Sequence, residues 1–253
     1  MDILFLPANE ILILLCVVSF VAGYVDAMAG GSGLLTLPAL LLAGLPAPYA
    51  LGTNKLQSSF GSMTASIVYS RHGLVYPQIK GWMFPVAFVA SFTGCFVVLH
   101  IDPVDMTTLI ALVLVVIGGY FLFHKDKEEY TGTLVFSRSA MVLSALIIGF
   151  YDGFLGPGTG SFLIFVMLHF FKMDYLHAAA NGKFVNWGSN LGALSGFFLA
   201  GKVLVLLGLC MGLFMFLGSK MGTGTAIRTG GKLIRPLVVI VSLALVIRLL
   251  MQN

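Results

Sequence analysis

Charged residues are scarce in this sequence. Only 9% of its 253 residues are Asp, Glu, Lys or Arg, whereas 58% are hydrophobic, and the mean hydropathy is +1.01. Soluble domains carry roughly a quarter charged residues, and a soluble chain of this size could not bury so much apolar surface. The composition therefore excludes a soluble domain and predicts a protein that lipid partly covers.

Cysteines and catalytic motifs are also scarce. Cys16, Cys95 and Cys210 lie singly in apolar runs, without the paired spacing of a disulfide or a metal site. Zinc-protease, Walker and serine-hydrolase motifs are missing from the sequence. We therefore predict that the protein is not an enzyme and holds no metal or cofactor. The first ten residues lack the features of a signal peptide, so the first apolar run is predicted to be a permanent span.

Ten apolar runs predict an all-α polytopic membrane protein. A full crossing needs about 20 residues, and the second and seventh runs are shorter and follow glycine clusters. Such short arms of broken or re-entrant helices are tolerated only where they pack in protein or line a cavity. We predict eight full helices plus the short arms. The runs lie at 11–29, 34–43, 53–70, 81–99, 106–123, 138–155, 161–171, 176–200, 203–218 and 233–250.

The two halves of the chain resemble each other. GYVDAMAG, which contains Asp26, returns as GFYDGFLG, which contains Asp152. An offset of 127 also aligns Asn54 with Asn181, Gly61 with Gly188 and Ser62 with Ser189. Lys55 and Lys183 fall one position out of this register. The pattern predicts an internal duplication, as in many transporters, with repeats at 1–123 and 138–253 and a polar linker at 124–137.

The distribution of Lys and Arg favours inverted repeats. If each half has five segments, ten basic residues fall on one side of the membrane and two on the other. Counting each broken pair as a single crossing gives a poorer split of seven to five. An odd number of segments inverts the second repeat. This scheme makes the linker cytoplasmic and places both termini in the periplasm.

Four charged residues lie away from the predicted loops: Asp26, Lys55, Asp152 and Lys183. A charge at the membrane centre costs about 2.5–3.5 kcal/mol even on the gentler insertion scales, so such residues face a cavity or pair with one another. One interpretation is a purely stabilising ion pair in each half. The other, which the repetition favours, is that the lysines attract an anion while the aspartates balance charge or carry protons.

Polar and glycine residues near these charges complete a candidate site. On a helix, Lys183, Asn186 and Asn190 share one face. The clusters GGSG and GPGTG offer backbone N–H groups at helix starts, where anions bind. The predicted substrate-binding residues are Gly30, Gly31, Ser32, Gly33, Asn54, Lys55, Gly156, Gly158, Thr159, Asn181, Lys183, Asn186 and Asn190. The predicted proton-coupling residues are Asp26 and Asp152.

These motifs resemble a known family. GYVDAMAGGSGLLTLPALLLAGLPAPYALGTNKLQSSFGS is similar to the N-terminal signature of the TauE/SafE sulfite exporter family. GFYDGFLGPGTGSF, KFVNWGSNLGAL and GGKLIRPLVVIVS resemble its C-terminal half, particularly in the YfcA-like branch. The resemblance implies a duplicated inner-membrane transporter for sulfite or organosulfonates, driven by the proton gradient. Ser32 stands where relatives often have glycine, and the substrate of this branch is ill-defined.

The sequence leaves other functions open. A cation or metal transporter could use Asp26 and Asp152 as ligands, although a cluster of soft metal ligands is missing from the sequence. A receptor or accessory subunit could bind a ligand without carrying it, and a channel cannot be told from a carrier. The expected partners are a small anion, protons and membrane lipids, and not nucleic acid, because no basic patch with interleaved aromatic residues accompanies the net charge of +4. The sequence predicts no oligomeric state.

Overall fold

All regular secondary structure in the described part of the chain is helical. The structure, a computed structural model, describes residues 5–110, 112–113 and 134–229, and these contain no β-strand. Residues 103–110 are helical but are not numbered here. A π-helical turn, Ile79–Met83, leads directly into α4. The numbered helices are α1 (Asn9–Ala29), α2 (Ser32–Leu42), α3 (Ala47–Arg71), α4 (Phe84–Val98), α5 (Arg138–Phe154), α6 (Thr159–His169), α7 (Tyr175–Leu199) and α8 (Val205–Thr229).

Helix length and composition confirm the prediction of an all-α polytopic membrane protein. Within the described residues, three stretches are long and apolar enough to cross a membrane: Asn9–Ala29, Ile79–Val98 and Val205–Thr229. The two short apolar helices, α2 and α6, each have 11 residues and lie where short arms were predicted. Helices α3 and α7 each have 25 residues, about 37 Å. They are long enough to cross but carry many buried polar side chains.

Some predicted boundaries differ from the structure. Helix α3 begins at Ala47 rather than at 53, because Pro48 lies in the first turn, where proline needs no hydrogen-bond acceptor. Helix α8 continues to Thr229 rather than ending at 218, and the backbone of Tyr24 packs where Gly222 has no side chain. The run 233–250 and most of 106–123 and 124–137 lie outside the described residues, and the domain boundaries stay predictions.

Helices α1 and α3 run in the same direction. Ser19 Oγ of α1 donates to Gln57 Oε1 of α3 at 2.7 Å. Further along, Asp26 of α1 lies beside Gly61 of α3. Residue numbers therefore rise together along the two helices. Both helices also pack against α8.

Helix α2 runs back against α3, so that α1 and α2 form a hairpin. Ser32 Oγ lies 3.5 Å from Ser58 Oγ. One turn later in α2, Thr36 Oγ1 donates to Asn54 Oδ1 at 2.6 Å, one turn earlier in α3. Residue numbers therefore rise in α2 as they fall in α3. The short arm returns toward the end of the molecule where α1 begins, which is the re-entrant form of the predicted break.

Helices α5 and α6 form the corresponding hairpin in the second half. Helices α5 and α7 both run parallel to α4. Gly149 of α5 contacts Ala87 of α4, and Gly192 of α7 contacts Phe88 of α4. In both pairs, residues later in one helix contact residues later in the other. Helix α6 is joined to α7 by only five residues, 170–174. It runs back along α7, and each hairpin thus has an 11-residue second arm that precedes a 25-residue helix.

The central helices of the two halves, α3 and α7, run in opposite directions. Gly52 at the start of α3 packs against Phe197 at the end of α7. At the other end, Asn181 Nδ2 of α7 donates to the carbonyl of Leu74, just after α3, at 3.0 Å. The packing also corresponds between the halves. Helices α1 and α3 pack against α8, and helices α5 and α7 pack against α4. An inverted repeat would have this arrangement; the duplication and its membrane orientation stay predictions.

Candidate functional site

The first helix break places a carboxylate at the start of a helix. Helix α1 ends at Ala29 and α2 starts at Ser32. Between them, Gly30 and Gly31 have φ values of 77° and 97°, in the left-handed region that glycine favours. Asp26 Oδ1 accepts a hydrogen bond from the backbone N–H of Ser32 at 2.9 Å. The preceding helix therefore supplies the acceptor that an N-cap side chain normally supplies.

The second break is longer and contains a proline. Helix α5 ends at Phe154 and α6 starts at Thr159. Gly156 has a φ of 91°, and its carbonyl accepts hydrogen bonds from the backbone N–H and the hydroxyl of Thr159, at 3.3 and 2.7 Å. The carbonyl of Pro157 accepts a hydrogen bond from the hydroxyl of Tyr151 at 2.6 Å. This break is thus held mainly by contacts within its own segment.

The two breaks touch at the centre of the molecule. A Cβ at Gly30 would overlap the backbone of Gly160 and Ser161, and one at Gly160 would meet Gly30 Cα at 2.7 Å. Ser161 Oγ donates to the carbonyl of Ala29, the last residue of α1, at 2.8 Å. The hairpins meet backbone to backbone, and glycine is required at both contact positions.

Two ion pairs connect the halves. Lys55 Nζ lies 2.7 Å from Asp152 Oδ1, and Lys183 Nζ lies 2.7 Å from Asp26 Oδ1. None of these four side chains is more than 3% exposed. The alternative interpretation, a purely stabilising ion pair inside each half, is therefore wrong about the partners, because both pairs join the two halves. Because the hairpin arms meet at the centre, each lysine reaches the aspartate of the other half.

The two ion pairs differ in their hydrogen bonds. Lys55 donates to Asp152 Oδ1. The Lys183 ammonium is equally close to Asp26 but is not aligned for a hydrogen bond with any residue that the structure describes. Lys183 Nζ lies 3.0 Å from the position that a Cβ at Gly160 would take, at the start of α6. Its N–H groups are therefore buried donors without an aligned acceptor in the described chain.

A small cavity lies between the breaks and receives residues from both halves. The space open to the centre of a water molecule is about 10 Å³, which is roughly the room for one water. Helices α2 and α6 both begin at this cavity, with Ser32, Gly33, Thr159 and Gly160 in its lining. The first N–H groups of a helix have no acceptor within that helix, and its start carries partial positive charge. Two helix starts and Lys55 therefore supply positive potential at this cavity, which the carboxylates of Asp26 and Asp152 balance in the described conformation.

A hydrogen-bonded network lies behind the cavity in the first half. Asn54 lines the cavity, and its Oδ1 accepts from Thr36 Oγ1 at 2.6 Å and from Gln57 Nε2 at 3.0 Å. Gln57 Oε1 in turn accepts from Ser19 Oγ. The network spans three helices of the first half and positions the Asn54 amide at the cavity wall.

The third helices of the two halves correspond at an offset of 128 rather than 127. Helices α3 and α7 have equal length, and their bounds differ by 128 residues. Thr53 Oγ1 accepts from the backbone N–H of Leu204, and Asn181 Oδ1 accepts from that of Tyr76, which is the same contact made twice at this offset. The predicted alignment of Asn54 with Asn181 is therefore off by one, and Lys55 and Lys183 are in register.

Comparison with known proteins identifies the family. The family model described as sulfite exporter TauE/SafE matches residues 15–249. A probable membrane transporter protein, ORF9, of Sinorhizobium sp is 39% identical over 248 residues, which cover 96% of this chain and 94% of the relative. The probable membrane transporter protein YfcA of Escherichia coli K12 is 36% identical over 251 residues, 99% of this chain and 93% of the relative.

The chain belongs to the TauE/SafE sulfite exporter family. It is therefore a multi-pass membrane transporter. A probable membrane transporter protein of Haemophilus influenzae is also 36% identical, over 92% of both chains. No solved structure gives a significant match.

Most of the predicted site residues of this TauE/SafE transporter come together at the cavity. The lining contains the following predicted residues: Asp26, Gly31, Ser32, Gly33, Asn54, Lys55, Asp152, Gly156, Thr159, Asn186 and Asn190. Sequence analysis missed two further lining residues, Ser58 and Gly160. Ser58 lies three residues after Lys55, on the same helix face. Gly160 is the last residue of GPGTG. Both missed residues, Ser58 and Gly160, therefore belong to motifs that were already recognised in the sequence.

Four predicted residues lie elsewhere. Gly30 forms the backbone contact between the hairpins, and Lys183 stands behind Gly160 against Asp26. Gly158 has a φ of 79° and precedes the first turn of α6. The Asn181 amide is bonded to the carbonyls of Leu74 and His177 and to the backbone N–H of Tyr76, at the end of α7. The structure does not bring Asn181 to the cavity.

Proposed function

We propose that this protein is a secondary transporter that moves a small sulfur-containing anion, sulfite or an organosulfonate, across the bacterial inner membrane. Transport is coupled to protons and proceeds by alternating access. The observation that carries the proposal is the meeting of Lys55 and two helix starts at one cavity, with the Lys183 ammonium directly behind Gly160. The family description as a sulfite exporter supports the sulfur-containing substrate.

The sulfur-bound oxygens of the anion would take hydrogen bonds from several donors. Backbone N–H groups at the starts of α2 and α6 supply directional donors without a side-chain charge. Lys55 and Lys183 supply the positive charge, and Asn186 and Asn190 also line the cavity. A cation would be less favoured, because each carboxylate already faces a lysine.

The described conformation corresponds to a closed, unloaded state of the proposed cycle. A cavity with room for about one water cannot hold a sulfonate group. The anion would replace a carboxylate as the partner of a lysine, and the freed carboxylate would take up a proton. Asp26 and Asp152 would thus link the charge of the anion to proton movement. The hairpins would then rock apart to expose the site on alternate sides.

The proposed orientation follows the positive-inside rule. The linker at 124–137 and the loop at 72–78 would be cytoplasmic, and both termini would be periplasmic. The hairpin of α1 and α2 would then enter from the periplasm, and the hairpin of α5 and α6 from the cytoplasm. Cysteine accessibility at Gln78, which is exposed, would test this orientation in whole cells.

Flux measurements in proteoliposomes test the proposed function. Sulfite, thiosulfate, sulfoacetate and taurine would each be offered to the purified full-length protein under a proton gradient. We expect saturable uptake of at least one of the sulfur-containing anions, and loss of this uptake in Lys55→Ala. The matched control is Lys220→Ala, which removes an exposed lysine of α8 and should transport normally.

Three results would overturn the proposal. Flux of a cation that survives Lys55→Ala would indicate a cation transporter. Anion binding without flux would indicate a receptor or an accessory subunit. Wild-type anion flux in Lys55→Ala would remove the proposed role of the lysine even if the protein is a transporter.

A further inference from the structure

The two buried aspartates have different hydrogen-bond partners. Asp26 Oδ1 accepts from the backbone N–H of Ser32 at 2.9 Å and also faces Lys183. Asp152 Oδ1 accepts from Lys55 Nζ at 2.7 Å. The second oxygen, Asp152 Oδ2, is buried and accepts no hydrogen bond from any described residue. The carboxylates are related by the repeat pattern but are not equivalent in chemistry.

The sequence of the second break accounts for this difference. In the first break, Gly30 and Gly31 fold so that the next N–H, that of Ser32, points at Asp26. The second break contains Pro157, which has no N–H. The N–H of Thr159, at the position that corresponds to Ser32, donates instead to the carbonyl of Gly156. No described backbone donor therefore reaches Asp152.

We propose that, of the two, Asp152 is the carboxylate that binds and releases the coupled proton, at Oδ2, and that Asp26 stays ionised throughout the cycle. The inference rests on the proposed function and assigns the proton to one residue. A hydrogen bond donated by a backbone N–H stabilises the ionised form of a carboxylate. Protonation of Asp26 would weaken the hydrogen bond that holds the start of α2, whereas protonation of Asp152 at Oδ2 weakens only its pairing with Lys55, the ammonium that the anion then binds.

The surrounding charges are consistent with a single proton. The charged and titratable groups around Asp152 are Lys55 of α3, Asp26 of α1 at the same cavity, Lys183 of α7 behind Gly160, Tyr151 on its own helix, and Cys95 of α4, which lies near Lys55. Helix α2 has no ionisable residue, and α6 has only His169 at its far end. Two lysines and two ionised aspartates have no net charge. Protonation of Asp152 leaves one positive charge, which a monoanion neutralises.

The cycle therefore predicts cotransport of one proton with each monoanion, with no net charge movement. The protonated Asp152 releases Lys55, whose ammonium then binds the anion. When the anion leaves, the carboxyl group of Asp152 gives up its proton to water, and the Lys55 pair forms again. Lys55 stays protonated throughout, so the proton and the charge are balanced at every step.

Infrared difference spectroscopy of the full-length protein in liposomes tests the assignment without any anion, with pH as the probe. We expect wild-type protein to show a carbonyl band of a protonated carboxylic acid, gained as the pH falls, that is lost in Asp152→Asn. The band should remain in Asp26→Asn, the matched variant, which likewise deprives a buried lysine of its partner. Asp152→Glu should keep a titrating band at a shifted frequency. A band lost in Asp26→Asn instead, or unchanged in Asp152→Asn, overturns the assignment.

A flux experiment with sulfite as the probe gives the second readout. In Asp152→Asn we expect loss of sulfite-driven proton uptake, whereas exchange of labelled sulfite across the membrane persists. In this variant the site is neutral with the anion bound and carries one positive charge when empty, so the loaded form still exchanges sulfite without a proton. Asp26→Asn should transport more slowly but still move protons. Retained proton uptake in Asp152→Asn overturns the inference. Failure of wild-type protein to move sulfite or any other tested anion overturns the proposed function instead, and the infrared result still decides where the proton binds.

Discussion

The neutral residues near Lys55 and Lys183 differ between the two halves more than the charged residues do. Behind Lys55, four polar residues form a hydrogen-bonded network, whereas their counterparts in the second half are apolar or small and all buried. The pairs are Ser19 and Ala145, Thr36 and Leu163, Asn54 and Gly182, and Gln57 and Val185. The second half instead places amides at Asn186 and Asn190, where the first has Ser58 and Ser62. The charged residues are repeated in the two halves, but the neutral hydrogen-bonding groups are not. An anion would therefore contact different neutral groups from each half.

Removal of either lysine should have the largest effect. In Lys55→Ala or Lys183→Ala, the partner aspartate stays buried without its counter-charge, at a cost of about 3–5 kcal/mol. We expect both variants to lose anion flux and to unfold at lower temperature in detergent. Similar losses of anion flux and of unfolding temperature in the two variants would show that the two lysines contribute equally to the charge of the site.

An exchange of partners separates the structural from the functional role of each pair. The double variant Lys55→Asp with Asp152→Lys keeps an ion pair but moves the ammonium from α3 to α5. We expect partial recovery of the unfolding temperature without recovery of flux. Recovery of both would mean that the pair only stabilises the fold.

Substitution at the contact between the hairpins should have the next largest effect. Gly30→Ala places a Cβ against the backbone of Gly160 at a positive φ. We expect a loss of stability of about 1–2 kcal/mol from the backbone conformation and about 1–3 kcal/mol more from the overlap. Gly44→Ala is the matched control, because Gly44 has a φ of 83° and nothing lies within 4 Å of its added Cβ. Equal melting temperatures for the two variants would contradict close contact of the breaks.

A moderate effect is expected at the residues that hold the loops at the ends of α3 and α7. Asn181→Ala removes three hydrogen bonds, and Thr53→Ala removes one to Leu204. We expect losses of about 1–3 kcal/mol for Asn181→Ala and about 1 kcal/mol for Thr53→Ala in denaturation experiments. The apparent affinity for the anion should stay near that of wild type. A weaker affinity with unchanged stability would instead support the predicted substrate-binding role of Asn181.

The smallest effect is expected when the first half is made more like the second. Gln57→Val leaves Asn54 Oδ1 with Thr36 as its remaining donor. We expect a loss of about 0.5–1.5 kcal/mol in stability and a modest rise in the KM for the anion. Gln78→Val, at an exposed position, should change neither. An unchanged KM in Gln57→Val would show that the network has no part in recognition.

Local patterns were sufficient to predict the hairpins and most of the site. The glycine clusters beside Asp26 and Asp152 predicted the breaks, because a short apolar run after glycines can neither span the membrane nor continue the preceding helix. The spacing of Lys183, Asn186 and Asn190 predicted a shared face, and Asn186 and Asn190 line the cavity. These features depend on residues close in sequence, so a single sequence contains the required information.

Features that depend on the meeting of the halves could not be predicted. The pairing of Lys55 with Asp152 joins residues 97 positions apart, and nothing local distinguishes it from a pairing with Asp26. The second arms correspond at an offset of 127, and the offset becomes 128 in the third helices because the loop before α7 has five residues, 170–174, whereas the loop before α3 has four, 43–46. Asn181 looked like a partner of Asn54, but its amide bonds to the loop beyond α3.

The reciprocal ion pairs also bear on how the protein is made. Asp26 and Lys55 enter the membrane first, and their partners Asp152 and Lys183 are synthesised only later. An unpartnered charge in the bilayer is costly, so the first half cannot reach its final state alone. The carbonyl of Ala29, which Ser161 satisfies, adds to this dependence. Completion of the fold thus waits for the second half, and a chain truncated before α6 would be exposed to quality-control proteases.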